Sequence, residues 1–402
     1  MPKLVDWNKC CGCGACANKC PKNAIRMLPN QEGFLHPEID NRKCVECGAC
    51  ETVCPGLSPA AKGNNNPKAF IVQHKDDDIR YQSTSGGAFT AIAEEVIRRG
   101  GVVFGAVMTE DLKLRHECVD SIEGLARFRN SKYVQSEMDD CFKESKSRLL
   151  SGQWVCFSGT PCQINGLYKY LEKDYNNLIA VDVVCKSVPS PLVFKKYIEF
   201  KKTNVGDVTD VVFRDKKRGY LYCTMAHYQS HENRLLGKDC YRRGSESDEW
   251  LRLFLSGKVS RRSCTTCPFQ GLDRVSDFTL GDIWETGHAE FDDNKGSTLV
   301  HVWNEKAFAF FESIKENIRS VEYPIEKSRG ANRINTMLIC AERKELFEDA
   351  NNLDSNAFFL KYAPYNIMVK LKQFGRYAIW RLHLHNIVRH VKHLVIHRSY
   401  SF

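Results

Sequence analysis

Short apolar runs alternate with helical periodicity from residue 69 onward. Four runs are rich in β-branched residues, are flanked by turn residues and have the length of buried strands; they span residues 69–74, 102–108, 154–158 and 178–184. Apolar residues recur at helical spacing in segments 88–99, 139–150, 163–172 and 192–201. This alternation of strands and helices predicts an α/β domain.

The pattern changes beyond residue 206. Residues 207–213 and 221–227 alternate apolar and polar positions as antiparallel strands do, so the sheet is predicted to be mixed. The polar stretch 228–248 is interpreted as an insertion or surface loop. The remaining predicted elements are helices over 248–255 and 305–318, strands over 278–281 and 297–303, and one or two helices after Pro364.

Cysteine spacing dominates the first 58 residues. Eight cysteines form two copies of C-x2-C-x2-C-x3-C-P, the pattern of a bacterial-type two-cluster ferredoxin, in which the fourth cysteine of each run binds the other [4Fe-4S] cluster. Two structural zinc sites are the alternative, although zinc favours separated cysteine pairs. Cys11 lies outside the spacing and is interpreted as a spectator. The predicted ligand sets are Cys10, Cys13, Cys16 and Cys54 for one cluster and Cys44, Cys47, Cys50 and Cys20 for the other.

Length and cysteine use indicate more than a ferredoxin. A chain of 402 residues has room for two or three units. Residues 1–9 lack the apolar run of a secretory leader, and no stretch reaches the ~18 apolar residues of a membrane span. Nineteen cysteines without such a leader predict a reducing, cytoplasmic setting.

The net charge of +9 is concentrated at the C-terminal end. Residues 355–402 contain eight Lys and Arg and no Asp or Glu, which disfavours a uniformly basic nucleic-acid binder; no nucleic-acid partner is expected. The five histidines of the tail alternate with basic and apolar residues, so a basic amphipathic helix is favoured over a metal site. Such a helix makes peripheral contact with a membrane or an acidic partner; packing against the α/β core is the alternative. These histidines are His383, His385, His390, His393 and His397.

Two loop motifs could contact a phosphate-bearing ligand. In STSGG, Ser85, Gly86 and Gly87 precede a predicted helix, whose first N–H groups attract anions; an ordinary helix cap is the alternative. In NSKYV, which contains Ser131, Lys132 and Tyr133, the lysine could pair with phosphate and the tyrosine could stack on a flat ring. A surface loop explains NSKYV equally well.

A third motif, SGTPCQ, follows a predicted strand directly, where α/β folds place their ligands. Cys162 opens the next helix, and a helix N-terminus lowers a thiol pKa. It is therefore a candidate ligand or nucleophile, a small buried cysteine being the alternative. The other candidate residues of this turn are Gly159, Thr160, Pro161 and Gln163.

A C-x2-C pair supplies half of a further metal site. Cys264 and Cys267 need two more ligands, and Cys162 and Cys185 are the candidates because both end predicted strands. The set predicts a third [4Fe-4S] cluster; a redox-active dithiol and a zinc site are the alternatives. The following SDFTLGDIW carries Asp282, which could contact a ribose or order the cysteine loop.

The ordered set STSGG, NSKYV, GTPCQ, VDVVC, SCTTCPF and SDFTLGDIW resembles the beta subunit of the hydrogenase that reduces the deazaflavin coenzyme F420, and its relatives fused to a ferredoxin module. The resemblance covers residues 1 to about 320. It implies FAD near STSGG, NSKYV and the residue 159–163 turn, with an iron–sulfur cluster beside the flavin. One departure is that Lys186 and Ser187 follow Cys185, where relatives commonly have His-Gly.

We therefore expect a ferredoxin domain at 1–58, a linker at 59–68, an α/β flavin and iron–sulfur domain at 69–325 and a basic helical region at 326–402. The expected function is flavin-dependent electron transfer between clusters and a deazaflavin or other conjugated small molecule, with a ferredoxin or a deazaflavin as redox partner. A surface-polysaccharide pathway is one setting for such a reaction. An electron-transfer subunit without its own substrate is the alternative. The candidate catalytic residues are Cys162 and Asp282, with His227 and His231 as further proton donors.

Overall fold

The computed structural model describes residues 2–61, 67–229, 234–236, 248–271, 273–328, 340–382 and 384. The strands are β1 (Ile25–Pro29), β2 (Leu35–Ile39), β3 (Lys68–His74), β4 (Val102–Met108), β5 (Leu114–Val119), β6 (Val155–Gly159), β7 (Leu178–Val183), β8 (Asp210–Asp215), β9 (Thr224–Gln229), β10 (Arg234–Leu236), β11 (Phe278–Ile283), β12 (Ser297–Val302) and β13 (Ile318–Tyr323). The helices are α1 (Ala15–Lys19), α2 (Ala49–Thr52), α3 (Asp77–Gln82), α4 (Ala88–Arg98), α5 (Cys141–Leu150), α6 (Pro161–Leu171), α7 (Pro191–Asn204), α8 (Glu249–Ser256), α9 (Glu305–Ser313), α10 (Ile325–Ser328), α11 (Arg343–Asn352), α12 (Ser355–Tyr362) and α13 (Ile367–Arg381).

A mixed eight-stranded sheet forms the centre of the α/β region. Its strand order is β13-β3-β12-β11-β7-β6-β4-β5. The four inner strands β11, β7, β6 and β4 are parallel, and antiparallel pairs flank them on both sides. The carboxyl ends of β6 and β7 therefore lie side by side. The predicted α/β class with a mixed sheet is confirmed.

Two hydrophobic clusters pack against this sheet. One joins the strands to α4 and α9 through residues such as Ile92, Val96 and Phe310. The other joins them to α5 and α6 through Phe142 and Leu167. The near-continuous apolar sequences of the inner strands are explained by this burial, because helices cover parallel strands.

A second, three-stranded antiparallel sheet of β8, β9 and β10 lies apart from the main one. It belongs to a core in which Tyr197 of α7 and Trp250 of α8 meet Phe347 of α11 and Phe358 of α12. The alternating segments predicted over 207–213 and 221–227 thus form their own sheet. The mixed character of the main sheet comes from its outer strands instead.

Several predicted boundaries differ from the structure. The helix predicted over 305–318 ends at Ser313, and β13 begins at Ile318 to pair with β3 at the sheet edge. The sequence pattern also missed β5, the edge strand that pairs with β4 and makes an isolated bridge with Glu137 on its other side. Strand β10 occupies part of the predicted surface loop 228–248, of which residues 230–233 and 237–247 lie outside the described part of the chain.

The cysteine-rich N-terminal module is joined to the rest of the chain by buried polar contacts. Arg343 Nε donates to Glu32 Oε1 at 2.9 Å, and Arg261 Nε donates to the Cys10 carbonyl at 2.6 Å. Phe34 of the module is buried in the second core. Removing one partner of a buried charged contact leaves the other unpaired at high cost, so these contacts hold the module in a defined position. The predicted domain boundaries stay predictions.

No helix in the described residues is long and apolar enough to cross a membrane.

Candidate redox site

A cavity of about 750 Å³ lies at the carboxyl ends of the parallel strands. Its volume falls within the roughly 300–1,000 Å³ of typical ligand and cofactor sites. STSGG, NSKYV and the residue 159–163 turn all contribute to its wall, together with the segments that follow β7 and β11. Gly86 and Pro161 lie next to the wall without lining it. The predicted site residues on the wall are Ser85, Gly87, Ser131, Lys132, Tyr133, Gly159, Thr160, Gln163, Cys185 and Asp282.

STSGG brings the N-terminus of α4 to the cavity. Gly87 is the N-cap of this eleven-residue helix and no side chain caps it, so the first N–H groups are available to a ligand. Such N–H groups and the helix dipole suit a phosphate. The hydroxyl of Thr84 accepts from the Ser131 N–H at 2.6 Å, which joins STSGG to NSKYV.

Gly86 has a packing role in the same loop. Its N–H donates to Thr298 Oγ1 at 2.8 Å. A Cβ at this position would lie 2.2 Å from the Val72 carbonyl oxygen and 2.6 Å from the Thr298 nitrogen. Only glycine fits between β3 and β12 here.

Changing Gly86 to alanine is therefore expected to destabilise the protein by at least about 3 kcal/mol, since a backbone clash cannot be relieved by a side-chain rotation. The thermal midpoint under anaerobic conditions should fall by roughly 4 °C or more. Gly375→Ala is the matched control, because a Cβ there meets nothing within 4 Å. The control should leave the midpoint unchanged or raise it slightly; equal behaviour of the two variants would contradict this role of Gly86.

NSKYV is held more tightly than a surface loop. Lys132 Nζ donates to the carbonyls of Phe128, Arg129 and Asn130 at 3.0–3.3 Å. Burial lowers the pKa of Lys132 to about 8. The Lys132 ammonium group makes its three hydrogen bonds within the loop, so contact with a ligand phosphate stays a prediction.

Tyr133 and Asp282 meet through a residue that the sequence analysis missed. Arg214 Nη1 donates to Tyr133 Oη at 3.1 Å and to Asp282 Oδ2 at 3.0 Å. One face of the Tyr133 ring stacks on Phe254, with ring centroids 4.4 Å apart. Arg214 is almost fully buried, so its guanidinium fixes both cavity-wall residues. The catalytic assignment of Asp282 stays a prediction.

The other predicted proton donors lie elsewhere. His227 does not line the cavity; its Nε2 meets Tyr197 Oη at 2.6 Å in the second core. Burial lowers the pKa of His227 to about 3, so it is neutral at pH 7 and poorly suited to donate a proton. His231 falls outside the described residues.

The 159–163 turn is ordered by a hydrogen-bond network of residues that themselves line the cavity. Gln163 Nε2 donates to Ser136 Oγ at 3.1 Å, and Ser136 Oγ lies 3.0 Å from His116 Nδ1. His116 Nε2 donates to the Ser158 carbonyl at 3.0 Å. Burial lowers the pKa of His116 to about 4. His116 is therefore a neutral, positioning residue; its distance of 42 residues from Ser158 gave no local sequence signal.

The four cysteines predicted to bind a third cluster lie together. Burial raises the pKa of Cys185 well above its usual value, and the charges of Cys264, Cys162 and Cys267 raise it further. Burial, with Cys162 and Cys267 nearby, raises the pKa of Cys264 to about 12. The Val188 N–H also points at Cys264 Sγ, 3.4 Å away. A four-thiol set accepting backbone N–H donors fits an iron–sulfur cluster.

Two details of this set differ from expectation. The predicted lowering of the Cys162 pKa is wrong: a hydrogen bond with Cys11 and burial raise it well above the usual value. Cys11, interpreted as a spectator, contacts both Cys162 and Cys13. The helix N-terminus at Cys162 is thus outweighed by a neighbouring thiol and by the loss of water.

The eight N-terminal cysteines lie around two small cavities, and their assignment as cluster ligands stays a prediction. One small cavity is lined by Cys10, Cys13, Cys16 and Cys54, with Cys11 beside them. A second is lined by Cys20, Cys44, Cys47 and Cys50. Burial raises the pKa of Cys16, and the nearby Cys10 and Cys54 raise it further. No group of three or more His, Cys, Asp or Glu is placed to hold a single metal ion in the parts of the chain that are described.

We call the group of Cys10, Cys13, Cys16 and Cys54 the inner group and the group of Cys20, Cys44, Cys47 and Cys50 the outer group. The inner group touches the α/β region at Gly166 of α6. A Cβ on Gly166 would lie 2.9 Å from Cys13 Sγ and 3.1 Å from Cys13 Cβ. This close approach brings one predicted cluster against the helix that begins at Cys162. Cys47 of the outer group is exposed to solvent.

Gly166→Ala should shift the electron paramagnetic resonance (EPR) signal of the cluster held by Cys13, because the added methyl group displaces its ligand. In an ordinary helix interior the same change stabilises by about 0.5–1 kcal/mol, as we expect for Gly375→Ala. A reduced-protein spectrum identical to that of the wild type, with higher stability, would contradict the close approach at Gly166.

Comparisons with known proteins agree with this arrangement. The 4Fe-4S dicluster domain matches residues 9–56. The N-terminal and C-terminal regions of the coenzyme F420 hydrogenase/dehydrogenase beta subunit match residues 69–143 and 152–328, and together they cover more than half of the chain. No curated protein matches the chain.

Among solved structures, the chain is similar to one from a xenon-derivatised F420-reducing [NiFe] hydrogenase complex of Methanosarcina barkeri. The two are 14% identical, the match covers 75% of this chain and 94% of that chain, and the TM-score is 0.44. On the family matches, this chain is an iron–sulfur protein of the oxidoreductase, electron-transfer type and belongs to the coenzyme F420 hydrogenase/dehydrogenase beta-subunit family.

Proposed function

We propose that the chain is a flavin-dependent iron–sulfur oxidoreductase, which exchanges electrons between a low-potential partner and a conjugated small molecule such as a deazaflavin. The main observation in support of this proposal is that two features lie on the same cavity wall. The cavity gathers the loops predicted to bind FAD, and Cys185 of the third cysteine set forms part of the same wall.

Different parts of the cavity wall suit the phosphate end and the ring end of a flavin nucleotide. The uncapped start of α4 supports a phosphate. The rest of the wall offers apolar and aromatic surface from Phe128, Val181 and Trp284, which suits a planar ring. When bound, FAD would accept electrons one at a time and deliver them as a pair.

The cysteine sets follow one another along the structure. The outer set includes the exposed Cys47 and is the proposed contact point for a ferredoxin. The inner set touches α6 through Cys13, and Cys11 bridges from Cys13 to Cys162. The third set, Cys162, Cys185, Cys264 and Cys267, then reaches the cavity wall. We propose that electrons pass along the three sets in this order to the cavity.

The substrate side of the cavity carries the Arg214–Asp282 pair. Its salt bridge of 3.0 Å holds a carboxylate at the wall beside Tyr133. Asp282 is the proposed site for a proton or a substrate hydroxyl. The family match supports a deazaflavin as the proposed substrate. Other conjugated molecules, including one in a surface-polysaccharide pathway, are alternatives with the same chemistry.

Mixing the FAD-loaded protein anaerobically with a reduced ferredoxin tests this function. We expect the flavin absorbance to bleach, and to return when oxidised coenzyme F420 or another acceptor is added. Bleaching of the iron–sulfur absorbance with an unchanged flavin spectrum would contradict the proposal. That result would favour an electron-transfer subunit whose partner carries out the chemistry.

A further inference from the structure

Helix α13 presents an apolar stripe to solvent. Ile367, Leu371 and Phe374 are 67%, 58% and 71% exposed, and Leu382, just beyond the helix, is 62% exposed. Residues spaced by four and three positions lie on the same side of an α-helix. Single exposed apolar residues are ordinary on protein surfaces, but an aligned series marks a contact surface. We call Ile367, Leu371 and Phe374 the outer stripe.

The opposite side of α13 is fixed to the body of the protein. Gln373 is buried and accepts a hydrogen bond from Tyr365 Oη. The guanidinium of Arg218 lies 4.5 Å from the Trp380 ring centroid and 5.8 Å from that of Tyr377. The contacts with Arg218 therefore hold this side of α13, and the outer stripe lies on the side that faces solvent.

Every charged residue of α13 is a cation. Lys370 and Arg381 project within about 60° of one edge of the outer stripe, and Lys372 projects beyond the other edge, at 3.6 residues per turn. The surrounding segment 355–402 contains no Asp or Glu. An apolar strip flanked by cations is complementary to a surface that is negatively charged outside and apolar beneath, which is the surface of an anionic lipid bilayer.

We propose that α13 docks the chain on an anionic lipid surface, with the outer stripe inserted among the headgroups and Lys370, Lys372 and Arg381 beside the lipid phosphates. The helix lies along the surface; its fifteen residues are fewer than the ~20 that a spanning helix needs. This inference is independent of the proposed redox function.

The docked helix would hold the cavity close to the lipid. Arg218, which contacts α13, is two residues from Tyr220 in the chain. Tyr220 stacks on Trp284, with ring centroids 4.3 Å apart, and Trp284 lines the cavity. A substrate that partitions into lipid would therefore have a short path to the site.

Flotation of the full-length holoprotein with vesicles tests the docking. The protein should float with phosphatidylcholine vesicles containing phosphatidylglycerol, and remain at the bottom with pure phosphatidylcholine. Leu371→Glu/Phe374→Glu should reduce the bound fraction by about tenfold or more, because two inserted side chains become charged. Leu150→Glu is the matched control, since Leu150 is 63% exposed on α5, away from α13; it should bind like the wild type.

Iron content and circular dichroism establish that each variant is folded, as expected for changes at exposed positions. Failure of the wild type to float with anionic vesicles would overturn the proposal. Binding by the Leu371→Glu/Phe374→Glu variant at the wild-type level would also overturn it, since the contact would then lie elsewhere in the chain. A variant that changes only the oligomeric state would identify the stripe as an interface between copies and would likewise contradict lipid docking.

Discussion

Replacing Cys264 with serine is expected to lower the iron content per chain from the proposed about twelve atoms to about eight. The four thiols of the third set lie together in the structure, and a serine hydroxyl is a poor substitute for a thiolate on iron. Cys264 is the clearest member to change, because Cys162 also contacts Cys11 and Cys185 lines the cavity. The same variant should lose flavin reduction by a ferredoxin while keeping the eight N-terminal cysteines and their clusters.

Iron and sulfide counts on anaerobically purified protein measure this loss. Cys340→Ser is the control, because Cys340 is a half-buried thiol outside all three sets. An unchanged iron count in Cys264→Ser would show that the third set does not hold a cluster. A loss of all iron in the control would show instead that serine at a cysteine disturbs folding.

Filling the cavity should remove the flavin and leave the clusters. Ala106 lies on β4 and lines the cavity, so Ala106→Phe places a ring in the space assigned to FAD. Overpacking costs about 1–3 kcal/mol, which corresponds to roughly a tenfold to hundredfold weaker affinity. Equilibrium titration of the apo-flavin protein with FAD, followed by flavin fluorescence, measures the change.

The matched control is Ala289→Phe, since Ala289 is exposed in a short turn and does not line the cavity. It should bind FAD like the wild type, with the same iron content. Wild-type affinity in Ala106→Phe would mean that FAD binds elsewhere.

Ligand chemistry was the most predictable feature of this chain. A metal group needs several thiols at fixed spacing, and the spacing of Cys10 to Cys20 and of Cys44 to Cys54 is local information. The exchange of Cys20 and Cys54 between the two groups follows from the same rule and agrees with the two small cavities. Strand-end positions likewise indicated which loops would meet, because parallel strands share one edge.

Contacts between distant segments could not be predicted in this way. Arg214 and Asp282 are 68 residues apart and lie on different sheets, and neither residue type signals a pair. Cys11 had no spacing partner, and its contact with Cys162 depends on how the N-terminal module docks. Gly86 was predicted as part of a loop that contacts a phosphate. The structure adds that Gly86 lies where β3 and β12 approach closely. Strand β13 was missed because the helical pattern before it extended to residue 318. Its strand conformation depends on pairing with β3, a distant segment, at the sheet edge.

Composition of the wild-type protein tests the central claim most directly. The account predicts about twelve iron atoms, about twelve sulfides and about one FAD per chain after anaerobic purification and incubation with FAD. About eight iron atoms, about eight sulfides and no bound flavin would contradict it, because neither the third cysteine set nor the cavity would then hold its redox group.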